Sequence, residues 1–128
     1  MGQPAAKQGD SVTAIDMHIV ILGLAPTPVP HPFNGVIDGE LSGNVNIMDR
    51  PAATQGSTAV NLPPHIPQGG PFVKPPTNQG RIITGSARVL INGRPAARNG
   101  DTALTCNDPV DLPVGTVVAA GTVMIGEG

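Results

Sequence analysis

The sequence has no tryptophan, no tyrosine and only two phenylalanines, Phe33 and Phe72. This scarcity of aromatic side chains removes the platforms on which proteins stack nucleic-acid bases and most of the residues that anchor protein interfaces. Charged residues make up 12% of the 128 residues, the net charge is −2, and no basic run is present. The attraction that drives nucleic-acid binding is therefore missing, and we expect no nucleic-acid partner.

Cysteine and long apolar runs are equally scarce. Cys106 is the single cysteine, so no disulfide can form within the chain, which favours synthesis and assembly in the cytoplasm. The apolar segment IVILGLA at 19–25 is too short to cross a membrane, and it follows Asp16 and His18 rather than a basic stretch. We predict neither a membrane span nor a targeting peptide, and we expect one domain over residues 1–128.

Glycine and proline, in contrast, are abundant: they number 17 and 15, a quarter of the chain. Such a composition approaches that of disordered proteins. Short β-branched runs nevertheless recur between the glycine and proline clusters, which favours a folded β-protein. Because no segment shows helical periodicity, we predict an all-β fold.

A Pro-Ala-Ala triplet occurs three times, in PAAKQGD, PAATQGS and PAARNGD, with starting points 47 and 44 residues apart. A period of this length is typical of a repeat architecture. Alternating apolar residues, typical of a half-buried strand, precede the second and third triplets. The glycine that follows each triplet is typical of a turn with positive φ. The repeated residues are Pro4, Ala5 and Ala6; Pro51, Ala52 and Ala53; and Pro95, Ala96, Ala97 and Arg98.

The first triplet has no room for a preceding strand, but the segment GTVMIGEG at 121–128 is similar to the strand that precedes the second triplet. The matching residues are Gly121, Val123 and Ile125, against Gly43, Val45 and Ile47. We predict that this C-terminal strand docks ahead of the first triplet and closes a pseudo-threefold ring of three units. In each unit a triplet turn leads into a proline-rich loop and then two short strands, within 35–47, 80–91 and 115–125.

The three histidines and the cysteine follow the triplets. His18 and His65 each lie 14 residues after the proline of a triplet, and Cys106 lies 11 residues after the third. His31 adds a candidate in the first and longest loop. Under threefold symmetry equivalent loops meet at one end, so these side chains would converge. Three imidazoles and a thiolate suit tetrahedral Zn²⁺, and the neighbouring prolines would reduce the entropy lost when the loops gather.

From spacing alone, two interpretations stay open: a metal site, or histidines in ordinary loops with Cys106 as a small buried side chain. A catalytic zinc would need an open coordination position, which four protein ligands do not leave. Asp16 and Asp108 could hydrogen-bond the ligands, although most such carboxylates are solvated. The sequence has no zinc-protease, nucleophile-elbow or phosphate-loop motif, and a lone cysteine without an activating environment is usually inert. We therefore predict no enzyme.

The three Pro-Ala-Ala motifs, with histidines behind the first two and a cysteine behind the third, resemble those of the PAAR-repeat proteins. The resemblance spans Pro4 to Ile125 and leaves no room for a fused effector domain. Two features depart from the family pattern: only Arg98 completes the PAAR spelling, and His31 has no counterpart in the other units. The resemblance implies a β-rich, three-sided cone with one structural zinc ion near its apex. Its implied ligands are His18, His31, His65 and Cys106.

Proteins of that family form the tip of the spike in contractile injection systems, including type VI secretion systems and phage-like baseplates. The resemblance implies a non-enzymatic protein that caps a homotrimeric spike, one copy per trimer, and sharpens it for membrane puncture. It would meet the target membrane transiently and leave the cell with the particle. Candidate contacts with the trimer, about half of which must face the interior, are Val45, Ile47, Val89, Ile91, Val123 and Ile125.

Two further functions stay open at this stage. The chain could be an adaptor that tethers effector cargo through an exposed loop such as 66–80, or it could be a zinc-dependent hydrolase.

Overall fold

The computed structural model describes residues 2–126, which form strands, turns and loops but no helix. None of these residues therefore belongs to a helix that could span a membrane. The prediction of an all-β fold is confirmed. The strands are β1 (Gln3–Pro4), β2 (Ser11–Leu22), β3 (Ala25–Gly39), β4 (Asn46–Ile47), β5 (Arg50–Pro51), β6 (Thr58–Asn61), β7 (Gln79–Ile82), β8 (Leu90–Ile91), β9 (Arg94–Pro95), β10 (Thr102–Thr105), β11 (Leu112–Val118) and β12 (Met124–Ile125).

Six of the strands close into an antiparallel barrel in the order β10-β11-β2-β3-β6-β7. Burial alternates along β7 and β10, as expected for strands with one face toward the interior. The largest apolar side chains of the core cluster inside the barrel are at most 1% exposed. They are Val12, Phe33, Ile37, Ile82 and Val117.

The three Pro-Ala-Ala motifs meet in a ring at the end of the barrel where β2, β6 and β10 begin. Ala6 N donates to Ala97 O, Ala97 N donates to Ala53 O, and Ala53 N donates to Ala6 O, at N–O distances of 3.0, 3.1 and 3.0 Å. None of these alanines has exposed surface. This closed cycle of hydrogen bonds needs small side chains because three backbones approach one another. We call residues 4–10, 51–57 and 95–101 the PAA ring.

The turn that follows each triplet has the same geometry in all three units. The fourth residue of each motif donates its backbone N–H to the side chain three positions later. The N–O distances are 3.0 Å for Lys7 to Asp10, 2.9 Å for Thr54 to Ser57 and 2.8 Å for Arg98 to Asp101. The predicted positive φ angles are 92°, 100° and 91° at Gly9, Gly56 and Gly100. Because the backbone N–H makes this bond, the turn tolerates lysine or threonine in place of arginine.

A pair of two-residue antiparallel strands lies at the start of each Pro-Ala-Ala motif, and we call each such pair a short hairpin, including the one formed by the two ends of the chain. The β4–β5 and β8–β9 hairpins precede the second and third motifs, and β12 pairs with β1 ahead of the first. Ile125 lies opposite Gln3, and Met124 lies opposite Pro4. The predicted closure by the C-terminal strand is therefore confirmed; residues 127 and 128 of the segment GTVMIGEG lie outside the described residues.

The proline-rich segment 26–32 is part of a strand, so its prediction as a loop is wrong. β2 and β3 pair in continuous register from Ser11 opposite Val36 to Leu22 opposite Ala25. Prolines stand at every second position, 26, 28, 30 and 32. Alternate residues of a strand direct their N–H groups to opposite sides, so these prolines leave the bonds to β2 intact. Within the described residues the other edge of this stretch has no strand partner, since β6 pairs with β3 from Gly35 onward. An open edge tolerates proline.

Candidate metal centre

The inward face of β2 carries two polar side chains. Burial alternates along the strand, and Val12, Ala14, Asp16, His18 and Val20 are its inward row. Asp16 has no exposed surface, and His18 is 1% exposed. Such burial is expensive for polar groups unless each finds a partner. The alternation therefore places a carboxylate and an imidazole, two positions apart, inside the protein.

The remaining candidate ligands come from three other segments. His31 lies on β3, directly opposite Asp16 in the strand register. His65 lies in the loop between β6 and β7, where its backbone N donates to Asn78 Oδ1 at 2.7 Å. Cys106 immediately follows β10 and is 2% exposed. The segments that follow the three Pro-Ala-Ala motifs thus each send a candidate ligand to the same end of the barrel, away from the PAA ring.

The three imidazole rings lie against one another. The ring centroids of His18 and His65 are 4.9 Å apart, and that of His31 is 5.6 Å from each of them. One donor atom from each of Asp16, His18, His65 and Cys106 lies within 4.8 Å of the others, a group that could hold a metal ion. Asp16 rather than His31 completes this tightest group. The structure thus brings together the four residues singled out in the sequence and adds a carboxylate.

Three nitrogen atoms of these rings have no hydrogen-bond partner among residues 2–126. They are Nδ1 and Nε2 of His18 and Nε2 of His31, all of them buried. Asp108 Oδ2 lies 3.5 Å from His18 Nδ1, which is too long for a good hydrogen bond. Buried polar atoms without partners destabilise a folded protein. Bound metal would supply the missing partner, so the residues present fit an ion with nitrogen and sulfur ligands.

The hydrogen bond of His31 also favours metal binding. His31 Nδ1 lies 2.8 Å from the backbone oxygen of Val29. Because a carbonyl oxygen only accepts hydrogen bonds, Nδ1 must carry the proton. Nε2 then presents a lone pair to the interior of the site, as a metal-ligating histidine does.

Burial changes the pKa values of two of the candidate ligands. Burial, reinforced by the neighbouring His65, lowers the pKa of His18, which keeps its imidazole neutral at pH 7. Burial, reinforced by the charge of Asp16, raises the pKa of the Cys106 thiol from 9.0 to about 11. Without metal the sulfur is therefore protonated at neutral pH, and a metal ion that binds it must displace that proton.

The loop that contains Cys106 is fixed to β2 by hydrogen bonds. Met17 N donates to Asn107 Oδ1 at 2.7 Å, and Asp108 N donates to Met17 O at 2.8 Å. Ile19 N donates to Asp108 Oδ2 at 2.9 Å. These contacts hold the sulfur in place opposite His18. They also assign Asp108 a structural role, which its sequence position left open.

Phe72 covers the imidazoles with apolar surface. Its ring centroid is 5.3 Å from that of His31 and 5.8 Å from that of His18. The segment around Phe72 is held to β2, where Ile21 N donates to Pro71 O and Val73 N donates to Ile19 O, both at 2.9 Å. One of the two phenylalanines of the chain thus shields the site from water.

Asp16 is the residue whose importance the sequence reasoning underestimated. The sequence left open whether Asp16 hydrogen-bonds the ligands or is solvated; in the structure Asp16 is completely buried and contacts His65 at 2.8 Å. The signal for its burial was the alternation of buried and more exposed residues along β2, which continues from Val12 through Asp16 to Val20. Recognising it required knowing that residues 11–22 form one uninterrupted strand.

A family model described as PAAR motif matches this chain twice, over residues 27–111 and 73–128. The two matches together cover most of the sequence. No curated protein matches the chain.

Proposed function

Because the chain belongs to the PAAR motif family, we propose that it is a non-enzymatic tip protein that caps the trimeric spike of a contractile injection system. The ring of three units carries this proposal. A single chain that presents three equivalent surfaces can match the end of a homotrimer, whereas a chain without internal symmetry would contact three subunits in three different ways.

The three short hairpins are the proposed contact surface. Each is anchored by a buried isoleucine, and Ile47, Ile91 and Ile125 pack in one apolar cluster with alanines of the PAA ring. These isoleucines are 6–8% exposed, so they hold the hairpins rather than touch a partner. Their neighbours face outward and are 36–60% exposed. The proposed contacts are Val45, Met48, Leu90, Val123 and Met124.

One structural zinc ion, in this proposal, is held at the opposite end by His18, His31, His65 and Cys106. These residues follow all three Pro-Ala-Ala motifs, so the ion would link the three units. Zinc bound by four protein side chains stabilises a fold and leaves no open position for a substrate. The polar interior at this end would then be held rigidly, which a tip that pierces a membrane requires.

The test is to mix the purified chain with its cognate spike trimer and measure the mass of the complex by native mass spectrometry. We expect one chain per trimer. Replacing Leu90 and Met124 together by Asp should abolish the complex, because charges would be buried against the trimer. The matched control is Leu24→Asp, at a fully exposed turn between β2 and β3, which should bind like the wild type. Failure of the wild-type chain to associate, or another stoichiometry, would contradict the proposal.

A further inference from the structure

We infer that Asp16 is a positioning residue of the metal centre, which orients His65 and balances the charge of the bound ion. This inference rests on the proposed metal site, and it assigns to the centre a residue outside its four ligands. It comes from the contacts of one buried carboxylate.

The two oxygen atoms of Asp16 contact different groups. Oδ1 accepts hydrogen bonds from Thr105 Oγ1 and from Asn107 Nδ2, the latter at 3.4 Å. Oδ2 lies 2.8 Å from His65 Nε2 and 3.5 Å from Cys106 Sγ. One oxygen is therefore fixed by the loop that carries Cys106, and the other contacts two candidate ligands that come from different units.

The contact with His65 has a direct chemical consequence. A carboxylate accepts a hydrogen bond from Nε2, so this nitrogen carries the proton and Nδ1 is left with the lone pair. A carboxylate that holds an imidazole in this way fixes its tautomer and orientation and makes it a stronger metal ligand. Thr105 and Asn107 in turn hold the carboxylate, so the arrangement is fixed before metal binds.

Charge gives a second, independent argument. Asp16 has no exposed surface, and its hydrogen-bond partners in the described residues include no lysine or arginine. A buried carboxylate without a cationic partner is strongly destabilising. A divalent ion bound to one thiolate and three neutral imidazoles has a net charge of +1, and Asp16 brings that charge to zero. The carboxylate thus neutralises the positive charge that the four ligands leave on the ion.

Asp16 belongs to the tightest group of donor atoms, but its hydrogen bonds favour positioning over direct ligation. His31 Nε2 is buried and has no hydrogen-bond partner in the part of the chain that the structure describes, so it is available as the fourth ligand. Asp16 Oδ2 is already engaged by His65, and Oδ1 is engaged by Thr105 and Asn107. Asp16 is therefore expected to lie next to the ligands without replacing one of them.

The experiment compares Asp16→Asn with the wild-type chain by zinc competition titration and by thermal melting with zinc or with excess chelator. Asparagine has the shape of aspartate without its charge. We expect zinc affinity to fall about 10–100-fold. The melting temperature in chelator should stay equal or rise, because a buried charge has been removed. The gain in melting temperature on adding zinc should therefore shrink.

Two further variants test whether a lower zinc affinity results from a general loss of folding. Thr105→Val removes a hydrogen bond to Asp16 Oδ1 while keeping the charge, and should weaken zinc binding in the same direction but by less. Asp101→Asn is the matched control in the PAA ring, where Asp101 Oδ2 accepts from Arg98 N. It should lower the melting temperature equally with and without zinc and leave zinc affinity unchanged.

Cobalt substitution separates positioning from ligation. The visible spectrum of Co²⁺-loaded Asp16→Asn should keep the tetrahedral bands and the thiolate charge-transfer band of the wild type. A change in coordination geometry would show that Asp16 is a ligand, and it would overturn the inference. Equal zinc affinity in the two chains would also overturn it while leaving the proposed centre standing. If the wild-type chain binds no zinc, the proposed centre is wrong and the inference fails with it.

Discussion

The molecule buries three alanines in the PAA ring and three histidines at the opposite end. The two sets differ in how their polar groups are paired. Backbone hydrogen bonds of 3.0–3.1 Å join the alanines in a closed cycle. Three buried nitrogen atoms of the imidazoles have no hydrogen-bond partner within the described part of the chain, and the rings lie beside a buried carboxylate. The compared residues are Ala6, Ala53 and Ala97, and His18, His31 and His65.

The comparison teaches which end of the molecule depends on a ligand. The three alanines of the PAA ring bury small apolar side chains and pair their backbone groups with one another. The buried polar side chains of the ring, such as Ser57 and Asp101, are hydrogen-bonded within the chain, so the stability of this end comes from the chain itself. The histidine end carries polar atoms whose burial is unfavourable until an ion binds. If an ion binds at the histidine end, this small fold contains one self-sufficient half and one half whose stability is coupled to metal binding.

Metal removal should have the largest effect of all, and it should destabilise the histidine end while leaving the PAA ring intact. With zinc a thousandfold above its dissociation constant, we expect excess chelator to lower the free energy of unfolding by about 4 kcal/mol. Amide hydrogen exchange measured by NMR should locate the loss. The amides of Ala6, Ala53 and Ala97 should stay protected in chelator, whereas those of His65 and Asp108 should exchange faster. Equal loss of protection at both ends would show that the halves are not independent.

A substitution in the PAA ring should lower the stability independently of metal. Ser57 Oγ accepts from Thr54 N at 2.9 Å and donates to Glu40 O at 2.8 Å. Ser57→Ala leaves both groups unpaired and should cost about 2 kcal/mol, measured by denaturant titration. The cost should be the same in zinc and in chelator.

Ser11→Ala is the control for this substitution. The Ser11 hydroxyl makes no side-chain hydrogen bond with the described residues, so the change should stay within about 0.5 kcal/mol. A cost of Ser57→Ala that appeared only in the presence of zinc would contradict the independence of the PAA ring.

The affinity of the histidine end for metal should depend on pH, because one of the candidate ligands is a thiol. The pKa of Cys106 is raised to about 11, so the metal must displace one proton from the thiol. Zinc affinity should therefore rise about tenfold, or about 1.4 kcal/mol, when the pH rises from 7.5 to 8.5. Competition titration, corrected for the ionisation of the competing chelator, measures it. An affinity independent of pH would show that the sulfur is not a ligand.

In the metal-free chain, the same thiol should make the folded state less stable as the pH rises. Its raised pKa means that the folded state holds the proton more tightly than the unfolded state. Folding stability in chelator should therefore fall as the pH rises from about 9 toward about 11.

The threefold ring could be predicted from the sequence because its determinants are local and repeated. Val123 and Ile125 occupy the same places relative to their glycine as Val45 and Ile47, so similarity alone indicated that the last strand would complete the first unit. The exposed and buried residues of the hairpins could not be separated in this way. Which side chain faces inward depends on packing against the PAA ring, and the structure buries Ile47 and Ile125 while Val45 and Val123 stay partly exposed.

The long β2–β3 hairpin could not be predicted because its proline content is typical of loops. Pro26 to Pro32 are compatible with a strand only where one edge is open, and that depends on where β6 ends its pairing with β3. The burial of Asp16 follows from the same hairpin. Composition favoured a solvated carboxylate, and only the tertiary position of β2 shows that this carboxylate lies among the candidate ligands.

X-ray absorption at the zinc edge of the loaded wild-type chain tests the central claim most directly. If one ion links the three units at the histidine end, the spectrum should show one sulfur at about 2.3 Å and three nitrogens at about 2.0–2.1 Å. A shell of oxygen and nitrogen without sulfur, or a chain that loses its zinc on dialysis, would contradict the account.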